Sequence, residues 1–145
     1  MRRNIMVLLS SALFLLGVVG GCGPREYKTY ALADFCDAAK AGEYVTVSGI
    51  VKIPENILVF DNTNGILLVE DINKAQPFLR IGIPIGRGRN HMERLTDNFT
   101  LEDIKIHTNE GQIVTHGETV SISGFYGGSC IAGNSAIKVE RIEAK

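Results

Sequence analysis

The sequence predicts an all-β domain, a small five-stranded Greek-key barrel preceded by a short helix, on three observations. Val45, Val47, Gly49, Val51 and Ile53 alternate with Thr46, Ser48, Ile50 and Lys52, the period of a half-buried strand. Thr119–Tyr126 and Ala136–Ile142 read as two further strands. Glu43-Tyr44-Val45-Thr46-Val47-Ser48-Gly49 also matches Glu118-Thr119-Val120-Ser121-Ile122-Ser123-Gly124. Each copy opens on a charged residue and places glycine late, where a strand that coils around a small barrel must bend. With the loop-rich stretch from Gly86 to Gly117 between them, the two copies suit strands 1 and 4 of such a barrel.

The chain divides into a leader (residues 1–21), a tether (residues 22–30) and a domain with its leading helix (residues 31–145). Arg2 and Arg3 precede the 15 uncharged residues Ile5–Val19, the pattern of a secretory signal peptide. The leader ends Val19-Gly20-Gly21-Cys22, which resembles the bacterial lipobox, with glycine at Gly20, two residues before the cysteine, where alanine, serine or threonine is commoner. The resemblance implies that Cys22 becomes the lipid-modified N-terminus and that the domain is lipid-anchored in the bacterial cell envelope, on the extracytoplasmic side of a membrane. Multiple acyl chains on one residue give stable anchoring where one is marginal. The other readings are an uncleaved membrane helix, for which Ile5–Gly21 is at the lower limit of length, and an ordinary signal with a structural thiol at Cys22.

Gly23–Lys28 is polar and contains Gly-Pro, as a tether would. Thr29 then suits a helix N-cap, with Leu32, Phe35, Cys36 and Ala39 on one face and Gly42 as the stop, which puts Cys36 on the buried side. After the first strand, Ile57–Phe60, the turn Asp61–Gly65 and Ile66–Glu70 read as a hairpin. Arg80–Ile85 places Ile81, Ile83 and Ile85 on one side. Pro84 cannot donate to a ladder, so this strand is an edge or ends there. A loop Gly86–Asn90 precedes a helical turn over His91–Leu95. A second turn starts at Thr100, with Glu102 and Asp103 where a helix dipole favours acids. Ile104–Thr108 is the alternative place for a short strand, followed by a turn at Glu110-Gly111. Gly127–Asn134 is a loop before the closing strand.

On the two matched strands and the closing strand Ala136-Ile137-Lys138-Val139-Glu140-Arg141-Ile142, the chain resembles an OB-fold over Glu43–Glu143, in particular bacterial OB domains related to anticodon-binding modules. The resemblance implies a ligand surface on strands 2 and 3, flanked by the loops after strands 1 and 4.

Several constellations could carry chemistry. Outside the cytoplasm Cys36 and Cys130 can pair, and antiparallel strands 1 and 4 would make them neighbours; the alternative is two unrelated thiols. Arg80, Arg87, Arg89 and Arg94, with His91, form one basic cluster that could contact an anion, or else a solvated loop. Phe60 and Phe78 are the aromatics near the expected ligand strands. His91, His107 and His116 lack metal-ligand spacing, the glycines from Gly82 to Gly88 match no phosphate loop, and Ser129-Cys130 has no assignable histidine partner. No metal, cofactor or enzymatic activity is therefore expected. The leader holds two of the 15 basic residues and none of the 16 acids, so the mature chain has 13 against 16, a net charge near −3. A field this weak does not gather polyanions. The sequence accordingly points to a non-catalytic, membrane-anchored binding module for an envelope protein, oligosaccharide or anionic polymer. A module for single-stranded nucleic acid is the second reading.

Overall fold

A computed structural model describes residues 23–55, 59–60 (backbone), 62–130 and 136–145. The leader, Cys22, Asp61 and part of the loop after strand 4 lie outside the described residues.

The strands are β1 (Lys28–Tyr30), β2 (Tyr44–Lys52), β3 (Val59–Phe60), β4 (Thr63–Val69), β5 (Phe78–Pro84), β6 (His91–Met92), β7 (Ile106–His107), β8 (Ile113–Val114), β9 (Thr119–Tyr126) and β10 (Ile137–Ala144). Among the described residues one short α-helix, α1, covers Phe35–Ala38. The main sheet runs β1-β2-β9-β10-β5-β4-β3, and a further pairing of β2 with β4 closes β2, β4, β5, β10 and β9 into a five-stranded ring. β10 lies parallel to β5 and antiparallel to β9. This is the OB-type barrel, with β2 and β9 as its strands 1 and 4, antiparallel neighbours from Tyr44↔Phe125 to Ile50↔Thr119.

Alternation places one face of each strand inside. Val45, Val47 and Val51 of β2, Ile66 and Leu68 of β4, Leu79, Ile81 and Ile83 of β5, Val120 and Ile122 of β9, and Ile137 and Ile142 of β10 form the buried interior. Burying such side chains contributes about 1.5–3 kcal/mol each. At the rim where β2 starts and β9 ends, Phe35 of α1 is fully buried against Tyr126, ring centroids 4.9 Å apart. A disulfide joins Cys36 to Cys130 at the same rim. The opposite rim is covered by a cap formed by residues 85–118, whose β6-β7-β8 sheet contributes Met92, Ile106 and Val114 to the core.

Four local expectations need correction. Lys28–Tyr30, with Thr29 read as a helix cap, is a strand parallel to β2, so the helix is a single turn; Cys36 is exposed apart from its bridge, not on the buried face. Thr63, Asn64 and Gly65, read as turn residues, belong to β4. They pair with Pro84, Ile83 and Gly82, because the ladder supplies partners that turn chemistry cannot. His91-Met92 is a strand, not a helical turn, since His107 and Ile106 offer it a ladder. The strand within Ile104–Thr108 shortens to Ile106–His107, while Thr100 caps a 3-10 turn over Leu101–Asp103, its N–H donating to the Asp103 carboxylate at 2.7 Å. β5 ends at Pro84, where its missing N–H costs the ladder nothing.

Candidate functional site

The outward side of β4 and β5 is built by the residues that alternate with the core. Leu67 lies opposite Arg80 and Val69 opposite Phe78. Arg80 is half-buried, and its Nε and one terminal nitrogen are buried with no hydrogen-bond partner among the described residues. Phe78 is 37% exposed; the Phe60 side chain lies outside the described residues.

The remaining arginines do not join Arg80. Arg87 and Arg89 are exposed in the loop after β5, where Gly88 takes φ +122°. Arg80 sits four residues before the end of the strand, roughly 13 Å short of that loop by strand rise. Arg87 and Arg94 line one open cleft of about 370 Å³ with Glu93. The Glu93 carboxylate lies 2.8 Å from His107 Nε2. That hydrogen bond, followed by the charges of Lys105, His107 and Arg87, outweighs partial desolvation and holds the carboxyl below its ordinary range. The basic cluster is thus split, with Arg80 on the sheet, Arg87 and Arg94 around an acid, and Arg89 exposed in the loop.

Between the capped rim and the cap is a second pocket of about 250 Å³, lined by Asn64 and Arg94 and walled by Ile85, Leu95 and Phe99. Asn64 is 1% exposed, and its amide nitrogen has no hydrogen-bond partner among the described residues. Among the described residues no three His, Cys, Asp or Glu side chains converge as metal ligands, and no helix is long and apolar enough to cross a membrane.

Sequence reasoning missed a third surface, where the supposed tether packs on the barrel. The bulge between Val139 and Arg141 leaves Glu140 unpaired with β9. Its carboxylate accepts from Arg25 at 2.7 Å and from the Tyr27 hydroxyl at 2.8 Å. The Arg25 guanidinium lies 4.9 Å from the centroid of the Tyr44 ring, which meets Tyr27 and Phe125 edge-on at 5.8 and 5.6 Å. Farther along, Lys28 and the Tyr30 hydroxyl both donate to Glu43. The available signal was two tyrosines in a six-residue stretch that a free linker has no reason to carry.

No family model matches the chain, and no curated protein or solved structure is significantly similar to it.

Proposed function

We propose that this chain is an envelope lipoprotein, lipidated at Cys22 on the extracytoplasmic side of a membrane. Its OB-type barrel would serve as a non-catalytic binding module for a protein or polymer that presents an anionic group, a carboxylate or a phosphate. The observation that carries the reading is the Arg80 guanidinium. Arginine has donors and no acceptor, and a buried donor left unmatched costs about 1–3 kcal/mol. A carboxylate or phosphate oxygen would satisfy it through a charge-assisted bond. Arg80 also belongs to the outer side of β4 and β5, the strands through which OB barrels take ligands. The anchor is supported by the charged and apolar leader and by Val19-Gly20-Gly21-Cys22.

Single-stranded nucleic acid is the second reading. It is favoured by the exposed Phe78 two residues from Arg80, a stacking ring beside a cation, and opposed by the weak net charge. The test measures binding of polyglutamate, polyphosphate and a thymidine oligonucleotide to the chain from Gly23 onward, beside Arg80→Met. We expect one of the first two polymers to bind and Arg80→Met to lose it. Binding indifferent to Arg80→Met, or none at all, defeats the reading. An oligonucleotide dissociation constant below about 1 μM at physiological salt moves nucleic acid to first place. Fractionation of cells expressing Cys22→Ser tests the anchor, because thioether attachment needs the sulfur and the variant should leave the membrane.

A further inference from the structure

The barrel ring closes through β2, β4, β5, β10 and β9 without any help from residues 25–30. Yet that stretch is bound along its length. It holds Glu140 through Arg25 and Tyr27, stacks on Tyr44, pairs with β2 from Lys28↔Val45 to Tyr30↔Val47, and binds Glu43 through Lys28 and Tyr30. Tyr30 also sets its ring edge-on to Phe35, centroids 5.9 Å apart. An exposed ion pair alone holds little, but a ladder, edge-on rings and two shared carboxylates on six residues fix the segment as a strap.

Covalent geometry does the rest. Arg25 is three residues after Cys22, and an extended chain spans at most ~3.6 Å per residue, so the two α-carbons are within about 11 Å. The strap begins at the rim where β2 starts (Tyr44), β9 ends (Phe125, Tyr126) and β10 starts (Ile137, Lys138). Lys52, Pro84, Thr119 and Ala144 mark the other rim, and the cap is built on it. The nine residues of β2 at usual rise and tilt separate the rims by roughly 20 Å along the barrel axis.

We infer that the strap fixes the orientation of the barrel on the bilayer. The rim of Tyr44, Phe125 and Lys138 rests against the lipid surface, and the cap with its exposed Leu101 and Ile113 is held away from it. This rests on the lipid anchor at Cys22 proposed above. Phe125, an exposed ring whose strand neighbour is Lys138, suits the headgroup region, where an apolar body and a basic tip are both accommodated. The domain does not swing on a leash. Its cap and the adjoining pocket are presented outward, while Arg80, whose carbonyl accepts from Ala136 N–H just before β10, lies on the barrel wall nearer the membrane end.

The chain contains no tryptophan, so single introduced tryptophans report cleanly. The full lipidated protein is reconstituted in phosphatidylcholine vesicles carrying a dansyl-headgroup lipid, with Phe125→Trp or Lys138→Trp near the strap and Ile113→Trp or Gln112→Trp on the cap. Two positions at each end keep the comparison intact if one variant folds poorly. Energy transfer to dansyl should be several-fold more efficient from the strap-side pair than from the cap pair. Adding Arg25→Ala and Tyr27→Phe, which free Glu140, should collapse that contrast. Equal transfer from both ends, stronger transfer from the cap, or a contrast that survives the loosened strap overturns the inference. Failure of every variant to float with vesicles removes the anchor, and the orientation with it. Flotation with equal transfer removes the orientation alone.

Discussion

Gly124 lies so close to the carbonyl of Lys138 that a Cβ built on it would stand 2.1 Å from that oxygen and 2.8 Å from Ile137 Cγ2. Gly49, its counterpart in the matched strand, has more room: its Cβ would meet Leu68 Cβ and the Val69 carbonyl at 3.2 Å. Both glycines admit a neighbouring strand, but only at Gly124 is the obstacle backbone closer than any Cβ can tolerate. It adjoins the bulge that turns Glu140 toward the strap.

Gly124→Ala should therefore cost roughly 3 kcal/mol or more, and Gly49→Ala about 1 kcal/mol, as overpacking usually does. Urea unfolding of the two variants checks the ranking. Equal midpoints would show that β10 moves aside freely.

What the sequence revealed and what it hid have physical causes. β2 and β9 were legible because each is long and alternates apolar with polar residues, although Ser121 and Ser123 of β9 are buried as well, and β10 because it is long, although its bulge breaks the alternation. Barrel order then follows, since the two glycine-bearing strands are neighbours. The two-residue strands β6 and β7 carry no period, and only their distant partners make them strands. Composition misled at Asn64 and Gly65, where turn-type residues sit in a ladder between β3 and β5. Arg80 was visible as a charge, but its missing partner is a property of packing that no string of letters carries. The strap was hidden because Glu140 becomes its acceptor only through a bulge some 115 residues away from Arg25.

The Glu43 carboxylate accepts from Lys28, the Tyr30 hydroxyl and the Lys40 N–H, and these bonds hold its pKa at about 2, against an ordinary 4.5. A folded pKa below the unfolded one stabilises the fold above the unfolded value, and that stabilisation is lost as pH falls through the folded value. The melting temperature of the natural chain should exceed that of Glu43→Gln by a constant margin from pH 7 to about 5. The margin should shrink below 4.5 and close near 2. A margin that ignores pH would mean that shape, not charge, ties the strap to the rim.

Asn90 docks the cap on the closing strand. Its Oδ1 accepts from Ile142 N–H at 2.8 Å and its Nδ2 donates to Asn109 Oδ1 at 3.2 Å, while Asn109 N–H donates to the Ile142 carbonyl at 2.7 Å. Its φ of +60° suits asparagine or glycine. Asn90→Ala both strains that backbone and strips a buried N–H of its acceptor, and should cost about 3 kcal/mol. Asn90→Gly keeps the turn and loses only the two side-chain bonds, so it should cost roughly 1–2 kcal/mol less than alanine. Thermal unfolding ranks the two, and faster amide exchange at Ile142 in both would locate the loss. Alanine no worse than glycine would remove backbone strain from the explanation.

The Cys36–Cys130 disulfide joins α1 to the loop after β9 across 94 residues of sequence. The neighbouring core is already dense there, with Phe35 and Tyr126 in contact and the Tyr126 hydroxyl 3.5 Å from Cys130 Sγ. The bridge therefore acts mainly on the unfolded chain, where closing so long a loop removes entropy worth ~4–5 kcal/mol in the chain-entropy model, often less in practice. Native protein should hold no titratable thiol once Cys22 is removed or blocked, and reductant should lower the urea midpoint and steepen the transition, because the unfolded chain without its cross-link exposes more surface. Cys36→Ala, Cys130→Ala and the double change should each match reduction to within a few tenths of a kcal/mol, because one bond is lost in every case. The packing of α1 sets the limit of the effect: Phe35 stays buried without the bridge, so the reduced barrel should still fold. A double variant markedly less stable than either single one would show that the two sulfurs stabilise the rim separately. The loop after β9 would then be held by contacts other than the bond to Cys36.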